Sequence, residues 1–306
     1  MNIVFFNQFH NGDCFVGKGW VKNIIDQIPE ATFYYAHRND PSIIQDLPVE
    51  HVHISDIPEI DKMVRIAQND DGDIFINTWC GAFQGELFGY GFHSNYVIQH
   101  RMYELYCEQL SGILKRKITQ STNPHDYLPT IDFSKYDVSK AQAFIDQQAG
   151  QKFNLICNGN ALSGQSAVGD FKPIIRKLLL DFPHETFVAT YDFGLRADNM
   201  FYTSNINDMG SDLNQIAYLS KGAKLIVGKN SGPFSYCQYK ENLQRDDVTF
   251  YSFNRTLTDC LTAGLEFPAR FKFSDQSQVD LVCSMLHRHL RAADPGYKTG
   301  IQHIYV

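Results

Sequence analysis

The stretch that decides the fold runs from residue 212 to residue 233 and reads DLNQIAYLSKGAKLIVGKNSGP. Its first half has apolar residues at helical spacing, with Asp212 suited to the N-cap and Gly222 to the position just past the helix. The run AKLIVGKN (223–230) predicts a buried strand, and a second helix follows that Ser231 can cap. This order of helix, strand and helix is typical of a parallel sheet covered by helices.

The same alternation fills the rest of the second half of the chain. Strands are predicted at 153–160, 186–192, 200–206 and 248–254, and helices at 171–183, 231–243 and 275–291. Ligands of open α/β sheets bind at the carboxyl ends of the strands, so a site is expected in the loops that follow them.

The first half alternates in the same way. Its predicted strands are 2–7, 31–37, 49–54 and 73–79, and helical patterns occur at 20–28, 58–68 and 94–115. Periodicity is lost between about 118 and 150, which indicates either a domain linker or a long active-site loop. The pattern predicts an α/β protein with two Rossmann-like domains, 1–150 and 151–306, facing a central cleft. The terminal helix could pack back on the N-terminal domain.

Composition excludes several classes of protein. The 306 residues carry 27 Lys and Arg against 34 Asp and Glu, a net charge of −7, so there is no basic excess for binding nucleic acid. The seven cysteines are scattered without a C-x-x-C pair, which argues against a disulfide scaffold or a cysteine zinc site and suits a reducing compartment. Without a signal-like N-terminus or a long apolar run, a cytoplasmic protein is expected. The 13% of aromatic residues can fill cores or stack on sugars.

The loop after the first strand contains His10 and Asp13, the titratable side chains at that mouth of the cleft. Asp13 is a candidate general base, which would take a proton from an attacking hydroxyl, although an Asp here can equally cap the following helix. His10, Asn11 and Gly12 are candidates for lining the cleft.

The same loop allows a second interpretation. Residues Gly12 to Lys18 fit the G-x-x-x-x-G-K part of a phosphate-binding P-loop, but Gly19 follows in place of the Ser or Thr that would hold Mg²⁺. A P-loop phosphotransferase therefore remains an alternative.

The turn between the strand at 223–230 and the next helix is a candidate phosphate site. The N-terminus of a helix offers free backbone N–H groups and a positive dipole end, although an ordinary capped turn would look the same. The candidate ligands are Lys229, Asn230, Ser231 and Gly232.

Further cleft-lining candidates are Ser163, Gln165 and Tyr191, which also follow predicted strands. No histidine pair has metal spacing and no H-E-x-x-H motif occurs, so neither a metal nor another cofactor is expected.

The sequence His10-Asn-Gly12-Asp13, together with the stretch 212–233, resembles the heptosyltransferase-like glycosyltransferases of family 9, which have the GT-B fold. The resemblance implies an inverting, metal-independent transfer of a sugar from a nucleotide sugar. Asp13 would deprotonate the acceptor hydroxyl on the N-terminal domain, while Ser231 and Gly232 would hold the donor diphosphate. The implied partners are a nucleotide-sugar donor and a carbohydrate or glycolipid acceptor, with no nucleic acid. The implied location is the cytoplasm, at the inner face of a membrane with at most peripheral contact.

Three positions depart from the family pattern. Asn230 replaces the family's Asp, Ser235 or Tyr236 stands where a His is expected, and the first loop of the second domain has no clear basic residue. These changes leave open a non-catalytic relative that binds a sugar or nucleotide.

Overall fold

A computed structural model describes residues 1–83, 95–157, 171–207, 212–228, 231–252, 266–273 and 279–293. Their strands form two separate sheets, one from each half of the chain. The predicted fold class, an α/β protein with two Rossmann-like units, is confirmed.

The first sheet contains β1 (Asn2–Phe6), β2 (Thr32–His37), β3 (Glu50–His53), β4 (Ile66–Gln68) and β5 (Ile74–Asn77). The strand order is β3-β2-β1-β5-β4, and β4 pairs antiparallel with β5 at the edge. The central strand β1 is buried on both faces from Ile3 to Phe6. This burial explains its continuous apolar run, because a strand covered on both sides has no polar face.

The second sheet contains β6 (Phe153–Cys157), β7 (Phe187–Ala189), β8 (Met200–Tyr202), β9 (Ala223–Gly228), β10 (Thr249–Ser252) and β11 (Arg270–Phe273). Its order is β11-β10-β9-β6-β7-β8, and all of these pairs are parallel. The apolar stretch within 212–233 thus becomes β9, which lies in the middle of the sheet.

The described α-helices are α1 (Asn11–Ile25), α2 (Asn95–Leu114), α3 (Ser139–Gln147), α4 (Lys172–Asp181), α5 (Thr203–Ile206), α6 (Leu213–Leu219), α7 (Gly232–Tyr236), α8 (Lys240–Leu243) and α9 (Val279–Ala293). Short 3₁₀ helices lie at Pro41–Ile44, Ile54–Asp56, Cys80–Ala82, Pro124–Tyr127, Phe133–Lys135 and Ser220–Gly222.

The helix predicted at 58–68 is wrong. The end of this segment is the edge strand β4, and Met63, which the helical pattern would bury, is 50% exposed. The side-chain amide of Asn77 donates to the carbonyl oxygens of Lys62 and Val64, at 2.8 and 2.9 Å. These contacts occupy the acceptors that a helix would use for its own hydrogen bonds.

Two elements of the second half also differ from the prediction. The strand predicted at 200–206 ends at Tyr202 and continues as α5, and the single helix predicted at 231–243 is divided into α7 and α8. The break is explained by Lys240, whose backbone N–H donates to the carbonyl of Pro129 at 2.8 Å instead of joining one continuous helix. The four-residue strand β11 was not predicted.

Both ends of α6 can be compared with the capping prediction. Asp212 is the N-cap, and its carboxylate accepts hydrogen bonds from the backbone N–H groups of Asn214 and Gln215 at 2.9 and 3.5 Å. Gly222 was predicted just past the helix, but α6 ends at Leu219 and its C-cap is Ser220. A Cβ atom at Gly222 would lie 2.7 Å from Cε1 of Phe153, so the glycine makes room for that ring.

The two halves are in direct contact. The ring of Phe15 on α1 stacks on Tyr236 of α7 with centroids 4.1 Å apart, and the amide of Asn214 donates to the carbonyl of Ser42 at 3.1 Å. The described part of the terminal helix, α9, packs on α4 and the second sheet.

Candidate functional site

The candidate site lies where α1 and α7 begin, at the carboxyl ends of β1 and β9. Phe15 follows Asp13 by two residues and Tyr236 follows Gly232 by four, so the stacking of these two rings holds both helix starts near one another. The structure thus brings together the two segments that sequence analysis singled out, one from each half of the chain.

Asp13 lies in the first turn of α1, which begins at Asn11 rather than after the loop as predicted. The N-cap residue is His10, and the Asp13 backbone N–H donates to the His10 carbonyl at 3.0 Å. The carboxylate therefore does not serve as the cap. It is partly buried, and burial raises the pKa of Asp13 above its ordinary value, against the lowering effect of Cys80 and His10.

Cys80 is the contact of Asp13 that sequence analysis missed. Its Sγ lies 3.5 Å from Oδ1 of Asp13 and donates a hydrogen bond to it. Burial raises the pKa of Cys80 well above that of an exposed thiol, so the group keeps its proton and remains a donor. No local motif marks this cysteine, because it reaches Asp13 from the far end of β5.

The contact leads to a prediction about pH. Because the Cys80 thiol stabilises the carboxylate form, Cys80→Ala is expected to raise the pKa of Asp13 further. If Asp13 acts as a base, the acidic limb of the pH–rate profile should move to higher pH in Cys80→Ala. Cys80→Ser, which keeps a donor, should restore the limb toward its original position. An acidic limb that is the same in all three proteins would contradict the coupling.

The turn before α1 is held by a buried network. The side chain of Asn7 donates to Oγ1 of Thr78 at 3.0 Å and accepts from the backbone N–H of Phe9 at 2.9 Å. The hydroxyl of Tyr35 lies 2.7 Å from the same Thr78 oxygen, and Phe9 stacks on Trp79 at 3.9 Å. These contacts fix the path of the backbone between β1 and Asp13, because a satisfied buried network has few alternative arrangements.

The other candidates in this loop border open space. His10 is exposed, and Asn11 and Gly12 are partly exposed in the first turn of α1. A Cβ atom at Gly12 would meet nothing within 4 Å. A ligand can therefore approach the start of α1 beside Asp13.

The P-loop interpretation of Gly12 to Lys18 is wrong. These residues form the first turns of α1, and Lys18 is an interior residue paired with Asp46, their side chains being 1% and 4% exposed. Burial lowers the pKa of Lys18, and Asp46 opposes that effect. Gly19 has a packing role, since a Cβ there would lie 2.3 Å from the carbonyl oxygen of Tyr127.

Ser231 and Gly232 lie at the start of α7. Ser231 is the N-cap residue, but its side chain makes no capping bond, and its buried Oγ has no partner among the described residues. Gly228, at the end of β9, leaves no room for a side chain, because a Cβ would lie 2.7 Å from the carbonyl oxygen of Cys157. An unpartnered hydroxyl at this position is free to bind a ligand.

One of the remaining candidates, Tyr191, lies within the described residues. Tyr191 follows β7 at the same edge of the second sheet, is 48% exposed and lies edge-on to Phe193 at 5.4 Å. Four candidates lie outside the described residues: Ser163, Gln165, Lys229 and Asn230.

The described parts of the chain contain neither a cluster of metal-ligating side chains nor a membrane-spanning helix. Within them, no three His, Cys, Asp or Glu side chains form a group that could hold a metal ion. None of the helices there has the length and apolar character needed to cross a membrane.

A groove of about 460 Å³ opens beside the loop that leads to Asp13. Gln8 forms part of its wall and donates to the carbonyl of Ile60 at 2.7 Å, while the Arg38 guanidinium donates to the carbonyl of Gln8. Residues 54–55 and 57–62, which include Glu59 and Asp61, line the other side. The wall therefore presents hydrogen-bonding groups and charges of both signs.

No protein-family model and no curated protein matches this sequence. Among solved structures, a glycosyl transferase family 9 structure from Veillonella parvula aligns at 11% identity over 97% of this chain and 92% of its own, with a TM-score of 0.50. The ADP-heptose lipopolysaccharide heptosyltransferase II of E. coli aligns at 11% identity, covering 96% and 99%, with a TM-score of 0.49. An E. coli heptosyltransferase with ADP aligns at 12% identity, covering 94% and 99%, with a TM-score of 0.48. The likeness to the Veillonella parvula structure shows that this chain has the GT-B fold expected from the resemblance.

Proposed function

We propose that this chain, which has the fold of a family 9 glycosyltransferase, transfers a sugar from a nucleotide-sugar donor to a hydroxyl of a carbohydrate or glycolipid acceptor. The proposed reaction is inverting and uses no metal ion. The observation that carries the proposal is the partly buried carboxylate of Asp13 in the first turn of α1, next to the start of α7.

The proposed base is Asp13. Burial raises the pKa of Asp13, which makes its carboxylate a better proton acceptor than an exposed one. It would take the proton of the acceptor hydroxyl as that oxygen forms a bond to the anomeric carbon of the donor. The bond from that carbon to the diphosphate breaks in the same step, and the nucleoside diphosphate leaves.

The proposed donor site is the start of α7. The unpartnered Ser231 hydroxyl and the backbone N–H groups that begin the helix would bind the diphosphate, with Gly232 leaving space beside them. Lys229 and Asn230 are proposed to complete this site. Donors arranged in this way stabilise the negative charge that grows on a leaving diphosphate.

The proposed acceptor site is the groove beside Gln8. It lies on the N-terminal half and next to the loop that leads to Asp13, and its mixed polar wall suits the hydroxyl groups of a glycan. We place the reaction in the cytoplasm, at the inner face of a membrane for a lipid-linked acceptor, because the six described cysteines are buried and form no disulfide, which suits a reducing compartment.

The experiment is a thermal-shift screen with nucleoside diphosphates. One of them is expected to stabilise the protein, by about 2.7 kcal/mol at 100 times its dissociation constant. Ser231→Ala should weaken that binding by about ten- to a hundredfold, since a hydrogen bond to a charged group contributes about 1.5–3 kcal/mol. The matched control is Ser139→Ala, which replaces an exposed serine at the start of α3 and should leave the affinity for the nucleoside diphosphate unchanged.

Three outcomes are informative. Stabilisation by a nucleoside diphosphate that is lost in Ser231→Ala supports the donor site. If no nucleoside diphosphate stabilises the protein, a transferase using nucleotide sugars is contradicted. Donor binding without any transfer or hydrolysis would instead favour the non-catalytic relative.

A further inference from the structure

A second groove, of about 490 Å³, lies at the N-terminal ends of the strands of the second sheet, whereas Ser231 lies at their carboxyl ends. Its wall is built from the N-terminal ends of the strands and the last turns of α9. Lys224, in this wall, is separated from Gly228 at the other end of β9 by about 13 Å, at about 3.3 Å per residue. The groove is therefore distinct from the proposed donor site.

Positive charge is concentrated in this groove. Four cationic side chains, Lys152, Lys224, Arg270 and Lys272, line it together with the single carboxylate of Asp247. The whole chain carries a net charge of −7, so the positive charge of this groove is opposite in sign to the net charge of the protein. Such a cluster attracts an anion by its field.

The four cations are not all neutralised. Lys152 pairs with Asp247, and Lys224 lies 2.6 Å from Glu185. Within the described ranges, no carboxylate forms an ion pair with Arg270 or Lys272, both of which are exposed. Arg270 and Lys272 are two residues apart on β11, so their side chains lie on the same face of the strand and can bind one anion together.

A neutral imidazole adds a donor beside them. Nζ of Lys272 lies 2.9 Å from Nδ1 of His289, and because an ammonium group can only donate, Nδ1 is the acceptor. Burial and the charges of Lys272, Arg270 and Lys224 lower the pKa of His289 to about 4. The imidazole is therefore neutral at pH 7 and carries its proton on Nε2.

The groove also contains a buried polar atom without a partner. Asn154 is 1% exposed and lines the groove, and its amide nitrogen donates to Glu185 at 2.9 Å. Its Oδ1 has no partner among the described residues. Asn154 lies on β6, three strands from Arg270 on β11, so this atom belongs to the far wall of the groove and not to the position of the two cations.

We propose that this groove is a second binding site, for a ligand that carries a phosphate group, held by Arg270 and Lys272 with His289 beside them. The site goes beyond the proposed transferase function and does not depend on it. Guanidinium and ammonium groups placed together are the usual partners of phosphate in proteins.

The probe is inorganic phosphate, titrated into the full chain by calorimetry. Saturable binding is expected in the wild type and should weaken by about tenfold or more in Arg270→Gln and in Lys272→Gln. Lys177→Gln on α4, which also removes one exposed charge from the same domain, is the matched control and should bind as the wild type does. Because Arg270 and Lys272 are exposed, unchanged urea unfolding of the variants checks that they are folded.

A second readout locates the phosphate. An anion next to Lys272 and Arg270 offsets the charges that depress His289, so the pKa of His289, followed by NMR of its ring protons, should rise when phosphate saturates the site. Phosphate that binds at the start of α7 would leave this pKa unchanged. Binding that is equal in all variants, or a His289 pKa that does not move, overturns the proposal.

Vesicles distinguish the two sources of phosphate. Sedimentation with phosphatidylcholine vesicles that contain phosphatidylglycerol, lost when Arg270 and Lys272 are both changed to Gln, would identify a lipid headgroup as the ligand. Phosphate binding without vesicle binding would identify a soluble phosphorylated compound. If neither phosphate nor vesicles bind, the groove is not a phosphate site.

Discussion

Asp13→Asn is expected to lower kcat by about 10²- to 10⁴-fold, the usual contribution of a general base. Asparagine has the same shape as aspartate and can keep the hydrogen bond from Cys80, but it cannot take a proton from the acceptor. The affinity for the nucleoside diphosphate should not change, because Ser231 and its neighbours belong to the second half of the chain. The measurement is kcat and KM with the donor identified by the thermal-shift screen.

The matched control is Asp26→Asn, at the other end of the same helix. Asp26 is an exposed carboxylate paired with Lys22, so its replacement should leave kcat unchanged. If Asp13→Asn keeps its turnover within about tenfold of the wild type, Asp13 is not the base. A loss of donor binding in Asp13→Asn would instead indicate that the variant disturbs the contact between Phe15 and Tyr236.

The pH dependence of the wild type follows from the same residue. Burial raises the pKa of Asp13, and a base works only in its deprotonated form. Activity should therefore fall as the pH drops through that raised pKa, which lies above that of an exposed carboxyl. Asp13→Asn should lose this acidic limb together with most of its activity.

The two sheets could be predicted because their strands are local features of the sequence. β1, β6 and β9 are short apolar runs that end in polar or glycine residues, and the restart of this pattern at residue 153 marks the second sheet. The segment 58–68 could not be predicted in this way. Its apolar residues fit a helical period, and what excludes the helix is the side chain of Asn77, which lies beyond the segment itself.

The candidate site shows the same division. Asp13 and Ser231 could be singled out because a site in a parallel α/β fold lies where strands end. The partner of Asp13 could not, since Cys80 is 67 residues away and reaches it only because β5 pairs with β1. Lys18 was misleading for the same reason: its seven-residue pattern fits a P-loop, while its actual partner, Asp46, lies on another segment.

Asp46→Asn is expected to lower the free energy of unfolding by about 3–5 kcal/mol, because it leaves the Lys18 charge buried without its counterion. In the wild type the Asp46 carboxylate also accepts hydrogen bonds from the Tyr136 hydroxyl at 2.8 Å and the Asp132 backbone N–H at 3.1 Å. The pair thus joins α1 to the segment that leads into the second half. Urea denaturation of the wild type and the variant measures the loss.

The loss should depend on pH in a defined direction. Burial already lowers the pKa of Lys18, and removing Asp46 takes away the attraction that opposes this shift. In the variant, the pKa of Lys18 in the folded state therefore lies further below the ordinary lysine pKa. Between these two pKa values the unfolded chain holds a proton on Lys18 that the folded variant lacks. The free energy of unfolding of the variant therefore rises with pH in that range. The deficit relative to the wild type should be smaller at about pH 9.5 than at about pH 7.

Two further variants separate the charge from the side chain. Adding Lys18→Met to Asp46→Asn removes the uncompensated charge and should recover most of the lost stability at neutral pH, since apolar replacements of buried pairs are well tolerated. Asp26→Asn breaks the exposed pair with Lys22, whose side chains are 48% and 54% exposed, and should cost about 0.5 kcal/mol or less. If Asp46→Asn costs no more than this exposed control, then Lys18 is not held in the interior as a paired charge.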